Sequence, residues 1–282
     1  MTAFDEATAV NRTDDGVFEG RIAPGWMVVR GPHGGYITSI ILRALTERLA
    51  DPERAIRSFT THFVAAPVEG DITIRTTVDR AGGTMSFLSA RLEQHGQVMA
   101  TSLAAFSTPW DGFSFDDSVM PDVVSPEDAM KVPEDAPNIP PFLRNFDMRF
   151  CIGQPPLFQG ADEALLGGWY RLREPQTVDA IVAATLLDAW APPPMPRATE
   201  MIVCPTIDLT MHFRCALPLD GAGPGDFYLG RFSSTLARDG FFEEDGVLWA
   251  ADGTVIANSR QLALAFYPKK RRTDRSSGES DT

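Results

Sequence analysis

Basic residues, cysteines and long apolar runs are all scarce in this sequence. Lys and Arg number 25 against 38 Asp and Glu, which gives a formal net charge of −13 at pH 7. Nucleic-acid binding needs a surplus of Lys and Arg to neutralise phosphates, so this balance argues against a nucleic-acid partner. No apolar stretch approaches the roughly 18 residues of a membrane span, and no basic-then-apolar signal sequence opens the chain. These absences predict a cytoplasmic protein without a membrane partner.

Motifs for metal binding and for a serine or cysteine nucleophile are missing too. The three cysteines cannot all pair and form no C-x-x-C, so we expect reduced packing residues. The four histidines are scattered, without the H-x-x-x-H or Cys–His spacing of zinc sites. A G-x-S-x-G motif, which a serine hydrolase would carry, does not occur. We therefore expect no metal and no cofactor.

Four short motifs occur twice, in the same order. They are T-x-H-F (60–63 and 210–213), a Gly-Asp pair (70–71 and 225–226), Arg-x-Gly (80–82 and 238–240) and G-x-V-x-A-x-S (96–102 and 253–259). Ordered self-similarity of this kind indicates duplication. A length of 282 residues with 44% hydrophobic content allows two such units and a large core.

Each half is predicted to open with a helix. In the first half, apolar residues follow Gly34-Gly35 at helical spacing: Ile37, Ile40, Ile41, Ala44 and Leu45. In the second half, Thr177 is a plausible N-cap for an apolar stripe of Ile181, Ala184, Leu187 and Trp190.

Four strands are predicted to follow each helix, from β-branched and aromatic runs bounded by Gly, Asp and Pro. Their ranges are 57–67, 70–80, 84–94 and 97–108, and then 203–217, 226–237, 241–250 and 254–267. One helix followed by an antiparallel meander predicts an α+β unit with a sheet around the helix. We expect units at 1–110 and 161–268, a linker rich in Pro and acidic residues at 111–160, and a disordered tail at 269–282.

The two halves differ in polarity at two aligned positions, and a third polar residue lies at an unusual place in the second half. Aligning the G-x-V-x-A-x-S strands puts Gln261 opposite Ala104, and aligning the T-x-H-F strands puts Thr206 opposite Ile56. Asp188 falls on the inward stripe of the second predicted helix, where an unpartnered carboxylate is costly. An acid, a hydroxyl and an amide in one half suggest that duplication produced two sites and that one was kept.

The chain resembles the acyl-CoA thioesterase II family of double-hotdog proteins over almost its whole length. The stretches that carry the resemblance are "GPHGGYITSIILRAL", "LLDAW", "TIDLTMHFR" and "ANSRQLALAF". The resemblance implies a tandem hotdog fold and hydrolysis of acyl-CoA in lipid metabolism. It also implies a homodimer or a higher homo-oligomer. The letters that follow Thr206 depart from the family pattern and leave the acyl group open.

The resemblance also implies the roles of the site residues. In that family an Asp, a Thr or Ser and a Gln hold the hydrolytic water, and Asp188, Thr206 and Gln261 fall on those positions. Asp188 would be the general base, and the other two would orient the water. Gly34 and Gly35, at a helix N-terminus, offer N–H groups to the oxyanion.

Two other functions fit parts of the pattern. A hotdog enoyl-CoA hydratase is similar to this chain in fold, but its Asp-x4-His pair has no counterpart here. A non-catalytic acyl-thioester binding or regulatory protein would keep the groove without turnover, and only a measurement of binding and hydrolysis separates it from an enzyme.

Overall fold

The computed structural model describes residues 1–133 and 139–268. Within these ranges, no helix is both long enough and apolar enough to cross a membrane. The predicted disordered tail, 269–282, lies outside the described residues, and the predicted domain boundaries stay predictions.

Antiparallel strands from both halves form a single continuous sheet. The first half supplies β1 (Val10–Asp14), β2 (Val17–Ile22), β3 (Ala55–Phe63), β4 (Gly70–Ala81), β5 (Met85–Gln94) and β6 (Gln97–Ser107). The rest of the chain supplies β7 (Met130–Lys131), β8 (Phe146–Gly153), β9 (Ala164–Leu172), β10 (Thr206–Phe213), β11 (Tyr228–Ser234), β12 (Ala237–Arg238), β13 (Phe241–Ala250) and β14 (Val255–Leu264). The order across the sheet is β1-β2-β4-β5-β6-β3-β10-β14-β13-β11-β9-β8-β7, and β12 pairs with β13.

The duplication is visible at the centre of this sheet, where β3 and β10 pair. Thr60 lies directly opposite Thr210, and their hydroxyl oxygens are 3.0 Å apart. These two residues open the two copies of T-x-H-F, so equivalent residues face each other. Strands β6, β5 and β4 then follow on one side as β14, β13 and β11 follow on the other. The predicted α+β repeat is confirmed.

Of the four α-helices in the described residues, two pack against each other. They are α2 (Gly34–Leu49) and α3 (Ala180–Leu186), whereas α1 (Ala3–Ala7) and α4 (Pro194–Arg197) are short. The predicted apolar stripe of α2 is buried in the core. Small polar residues let the two helices approach: Ser39 Oγ donates to the Ile181 carbonyl at 2.7 Å, and Thr185 Oγ1 donates to the Gly35 carbonyl at 3.1 Å. This contact brings the start of α2 next to the end of α3.

The N-cap and the end of the second helix were predicted wrongly. Asp179, not Thr177, is the N-cap, and its carboxylate accepts from the N–H groups of Ile181 and Val182. The helix ends at Leu186, so Asp188 follows it rather than lying on its stripe. Pro192 and Pro193 could not be accommodated in the interior of α3, so the helix cannot extend through them, whereas Pro194 begins α4.

The strand hairpin that precedes each helix was missed. The prediction of four strands per half omitted β1–β2 and β8–β9, and β8 lies inside the stretch 111–160 that was expected to be linker. In β1 only Val10 is buried, which gives almost no alternation to detect. In β9 two adjacent glycines, Gly167 and Gly168, interrupt the apolar run.

Candidate active site

Asp188 lies where the end of α3 meets the start of α2. Its Oδ2 accepts the Gly35 N–H at 2.7 Å, and its side chain is 12% exposed. The N-terminus of a 16-residue helix carries unpaired N–H groups and a partial positive charge, which favours a carboxylate there. The acid of the second half is therefore held by the helix of the first half.

Only glycine fits at the first two positions of this helix, because a Cβ atom at either one would lie too close to neighbouring atoms. A Cβ atom on Gly34 would lie 2.7 Å from Asp188 Oδ2, and one on Gly35 would lie 2.8 Å from the Thr185 carbonyl oxygen. The expectation that both N–H groups are unpaired was wrong for Gly35, because its N–H is donated to Asp188. In the part of the chain that the structure describes, the Gly34 N–H has no acceptor.

His33 is a further site residue, and the sequence analysis did not single it out. It is 3% exposed, and its ring stacks on Phe142 at a centroid distance of 4.5 Å. Nδ1 accepts the Tyr36 N–H as the N-cap of α2, which places the ring proton on Nε2. Nε2 therefore donates to the Asp188 carbonyl oxygen at 2.6 Å and lies 3.4 Å from Asp188 Oδ2. The feature of the sequence that could have identified His33 is its position directly before Gly34 and Gly35.

Burial governs the charges of this pair. It lowers the pKa of His33, against the opposing effect of the Asp188 charge, so the imidazole is neutral. It also raises the pKa of Asp188, although His33 and the Gly35 N–H partly offset this rise. A carboxylate with a raised pKa is a stronger base than an exposed one.

Thr206, Gln261 and a third residue, Glu244, form a hydrogen-bonded chain across three adjacent strands. Thr206 Oγ1 donates to Gln261 Oε1 at 2.7 Å, and Gln261 Nε2 donates to Glu244 Oε1 at 2.7 Å. Thr206 begins β10, and Gln261 on β14 is paired directly with Glu244 on β13. The glutamine and the glutamate are 6% and 4% exposed. The structure thus brings two of the three predicted water-binding residues into direct contact.

An electrostatic interaction joins this chain to Asp188. Burial raises the pKa of Glu244 to about 8; the hydrogen bond from Gln261 opposes this rise, and the charges of Asp188 and Asp245 add to it. Within the described residues no hydrogen bond links Asp188 to Thr206 or Gln261. The site therefore has two parts, the acid at the helix start and the polar chain on the sheet, with their carboxyl groups close enough to interact.

Glu244 could have been found from the sequence. On β13 the residues Phe242, Glu244, Gly246 and Leu248 alternate with more exposed neighbours and are buried, as the period-two rule requires. The strand itself was predicted correctly at 241–250. Applying the alternation to it would have placed one of its two adjacent glutamates on the inner face.

The sheet pairing confirms both sequence alignments between the halves. Ala104 is paired with Leu88 in the first half, as Gln261 is paired with Glu244 in the second. Ile56 and Thr206 each stand directly before a register shift in their strands. The first half is thus apolar at all three positions where the second half carries the polar chain.

Metal-binding clusters and reactive cysteines would be other sources of reactivity in the described ranges. No cluster of three or more His, Cys, Asp or Glu side chains there could hold a metal ion. The three cysteines are free. Burial, with a contribution from the Glu244 charge, raises the pKa of Cys204 to about 12. A thiol of this kind is protonated and a poor nucleophile.

Comparison with known proteins agrees with this architecture. The sequence pattern described as the acyl-CoA thioesterase N-terminal domain matches residues 22–107, and the pattern described as the C-terminal domain matches residues 124–265. No match was found among curated proteins.

Solved structures extend the comparison over the whole chain. A protein of unknown function with a hot dog fold from Alicyclobacillus acidocaldarius is 25% identical, with a TM-score of 0.85 over 95% of this chain and 99% of that one. An acyl-CoA thioesterase II from Mycobacterium marinum is 19% identical, with a TM-score of 0.74 over 95% and 99% of the two chains. The predicted tandem hotdog fold is confirmed.

Proposed function

The chain belongs to the acyl-CoA thioesterase family and is a thioester hydrolase, and from that premise we propose that Asp188, Thr206 and Gln261 direct the hydrolysis of an acyl-CoA to a free acid and CoA. The observation that carries the proposal is the asymmetry of the site. An acid with a raised pKa interacts electrostatically with Glu244, the end of the hydrogen-bonded Thr206–Gln261–Glu244 chain, and the equivalent sheet positions of the other half are apolar.

Asp188 is the general base of the proposed reaction. As the oxygen of a water bonds to the thioester carbonyl carbon, Asp188 takes one of its protons and the carbonyl oxygen becomes negative. The tetrahedral intermediate then collapses, the carbon–sulfur bond breaks, and the proton passes from Asp188 to the leaving sulfur. Positioned acid–base catalysis of this kind contributes about 10²–10⁴ in rate.

Thr206 and Gln261 orient the water. The Thr206 hydroxyl hydrogen is already donated to Gln261 Oε1, so the hydroxyl oxygen offers its lone pairs to a water hydrogen. Gln261 Nε2 uses one hydrogen on Glu244 and has a second one to donate to the water oxygen. A donor and an acceptor on one water restrict its direction of attack.

The donor to the developing oxyanion is the Gly34 N–H. It belongs to the first residue of α2, where the helix dipole favours negative charge, and the Gly35 N–H beside it is committed to Asp188. The absence of a Cβ on Gly34 leaves room at this point, since a Cβ there would meet Asp188 Oδ2 and Phe63.

Release of thiol from acyl-CoAs of graded length, including aryl forms, tests the proposal. We expect wild type to turn over part of the panel and Asp188→Asn to lose that activity. Asp208→Asn is the matched control, because Asp208 lies on β10 near the site but its strand partner, Leu262, faces outward. An Asp188→Asn variant with wild-type kcat would overturn the assignment. A wild type that is stabilised by acyl-CoA without turning it over would overturn the hydrolase proposal.

We also propose a homodimer or higher homo-oligomer that acts in the cytoplasm in lipid metabolism. The support for assembly is the resemblance to the family and an apolar patch on the outer face of the sheet. In this patch Leu103 on β6 is 64% exposed and Phe87 on the neighbouring β5 is 40% exposed. Isolated large apolar side chains are common on surfaces, but neighbouring ones on one face of a sheet fit an interface. Light scattering with size-exclusion chromatography tests this, and a monomer at micromolar concentration would contradict it.

A further inference from the structure

We propose that Glu244 is a positioning residue whose carboxyl group fixes the orientation of the Gln261 amide and, through it, the direction of the Thr206 hydroxyl. This inference rests on the proposed function, because the orientation of these two side chains matters for catalysis only if they hold the water. Glu244 touches neither the water nor the substrate in this account and acts through Gln261 alone.

Gln261 lies between Thr206 and Glu244, and Glu244 Oε1 acts as the acceptor in both charge states, with the hydrogen of the protonated carboxyl group on Oε2. A threonine hydroxyl both donates and accepts, so Thr206 alone would allow the amide to face either way. Glu244 Oε1 lies 2.7 Å from Gln261 Nε2 and accepts its hydrogen, which turns Oε1 of the amide toward Thr206. Thr206 must then donate to Gln261, and its lone pairs are left for a water. Without Glu244 the amide could rotate, and Thr206 would lose this fixed role.

The fold itself does not need an acid at this position. Leu88 occupies the equivalent place in the first half, is fully buried, and is paired with Ala104 as Glu244 is paired with Gln261. Burying a carboxyl group is unfavourable unless it is fully hydrogen-bonded. The bond from Gln261 to Glu244 Oε1 is the one hydrogen bond that this carboxyl group makes with the described residues. An acid that is 4% exposed and bonded to Gln261 alone is better explained by its effect on Gln261 than by packing.

The groups that face Glu244 are acidic or neutral. The charges of Asp188 and Asp245 act on it, and its own charge acts on Tyr170 and Cys204, which both keep their protons because burial raises their pKa values. No Lys or Arg in the described residues forms an ion pair with it. With a pKa of about 8, Glu244 is mostly protonated at pH 7, and ionisation above pH 8 places a second negative charge near Asp188.

Two substitutions separate the hydrogen bond from the charge. Methionine at position 244 has a similar length but no strong acceptor, so Glu244→Met removes one hydrogen bond from Gln261. We expect kcat to fall about tenfold with KM unchanged. Glu244→Gln keeps an acceptor oxygen, and we expect it to retain kcat within about threefold at pH 7. Glu243→Gln is the control, since Glu243 lies on the outer face of the same strand opposite the exposed Leu262, and this substitution should leave kcat unchanged. A Glu244→Met enzyme with wild-type kcat, or equal losses in the Met and Gln variants, would overturn the proposal.

The pH profile adds a readout that packing would not change. Above about pH 8 wild-type kcat should decline, because a second carboxylate opposes negative charge on the thioester oxygen, and this decline should be absent in Glu244→Gln. A decline that persists unchanged in Glu244→Gln would contradict the role assigned to Glu244.

A measurement without substrate keeps this inference separate from the proposed function. In ¹⁵N-labelled protein the Gln261 side-chain amide, assigned by its loss in Gln261→Ala, should shift with a midpoint near pH 8. The shift should vanish in Glu244→Gln. If acyl-CoA is not hydrolysed but the shift occurs, the proposed function fails and the Glu244–Gln261 coupling stands. A Gln261 signal that does not respond to pH or to the substitution contradicts the coupling itself.

Discussion

The two halves of the sheet use the same pairing to hold different side chains. At three equivalent positions the first half carries Leu88, Ala104 and Ile56, and all three are buried. The second half carries Glu244, Gln261 and Thr206 there, joined by hydrogen bonds. The first half shows that the fold accepts apolar side chains at these positions, so we attribute the polar residues of the second half to the proposed reaction.

The two helices also differ in length and in what they contribute to the candidate site. The first-half helix, α2, runs for 16 residues, and its start presents His33, Gly34 and Gly35 to the site. The second-half helix, α3, runs for seven residues and ends before Asp188, which leaves that carboxylate free to reach the start of α2. Neither half contains a whole site. One half supplies a helix N-terminus, and the other supplies the acid and the polar chain.

The largest effect is expected from the acid. Asp188→Asn keeps the size of the side chain but removes the base, and we expect kcat to fall by about 10²–10⁴. Steady-state hydrolysis and circular dichroism on the same samples measure this. A loss of activity accompanied by unfolding would instead give Asp188 a structural role at the α2–α3 contact.

Gln261→Ala copies the first half at the centre of the polar chain. Removing the amide leaves the water without a donor, and we expect kcat to fall by about 10²-fold. We expect the variant to fold, because the first half has alanine, Ala104, at the equivalent position. The matched control is Gln97→Ala, an exposed glutamine at the start of β6. Wild-type kinetics for Gln261→Ala would show that the amide fills space only.

Gly34→Ala tests the space at the helix start. The added Cβ would lie 2.7 Å from Asp188 Oδ2, so the carboxylate must move, and we expect a loss of about tenfold in kcat. Gly83→Ala has no atom within 4 Å of its added Cβ and should change nothing. Equal kinetics for both alanine variants would contradict the close approach of Asp188 to α2.

The smallest expected effect is on stability and depends on pH. The folded-state pKa of Glu244, about 8, is above its ordinary value of 4.5, so the folded protein binds more protons than the unfolded chain between these limits. Its contribution to stability is therefore lost as pH rises toward 8. Glu244→Gln cannot ionise, so its Tm advantage over wild type should grow from pH 5 to pH 8.5, to at least ~2 °C. A difference in Tm that is independent of pH would show that the pKa of Glu244 is not raised in the folded protein.

Much of the fold was predictable because the same motifs occur in both halves of the sequence. The paired T-x-H-F and G-x-V-x-A-x-S motifs located the central strands and gave the alignments of Gln261 and Thr206 that the sheet pairing confirms. The hairpin β1–β2 of the first half was not predictable, because the side chains of β1 are mostly exposed and polar. In β8, by contrast, Phe146, Met148, Phe150 and Ile152 alternate regularly with more exposed neighbours, so this strand was predictable although it lies in a stretch rich in Pro and acidic residues.

The site was predictable only in part, for a physical reason. Strand periodicity and comparison of the halves can identify Gln261, Thr206 and Glu244, because their directions follow from the sheet. The contact of Asp188 with Gly35 and His33 joins residues more than 150 positions apart across two helices. It depends on how α3 ends and how closely the helices pack, and local sequence rules do not specify either.

Making the second half resemble the first tests the central claim most directly. The triple variant Thr206→Ile, Glu244→Leu and Gln261→Ala carries at each position the residue that the first half has there. The account predicts that it folds with a Tm at or above that of wild type and loses acyl-CoA hydrolysis. A triple variant that hydrolyses acyl-CoA at the wild-type rate, or that fails to fold, would contradict the claim that these polar residues serve the reaction and not the fold.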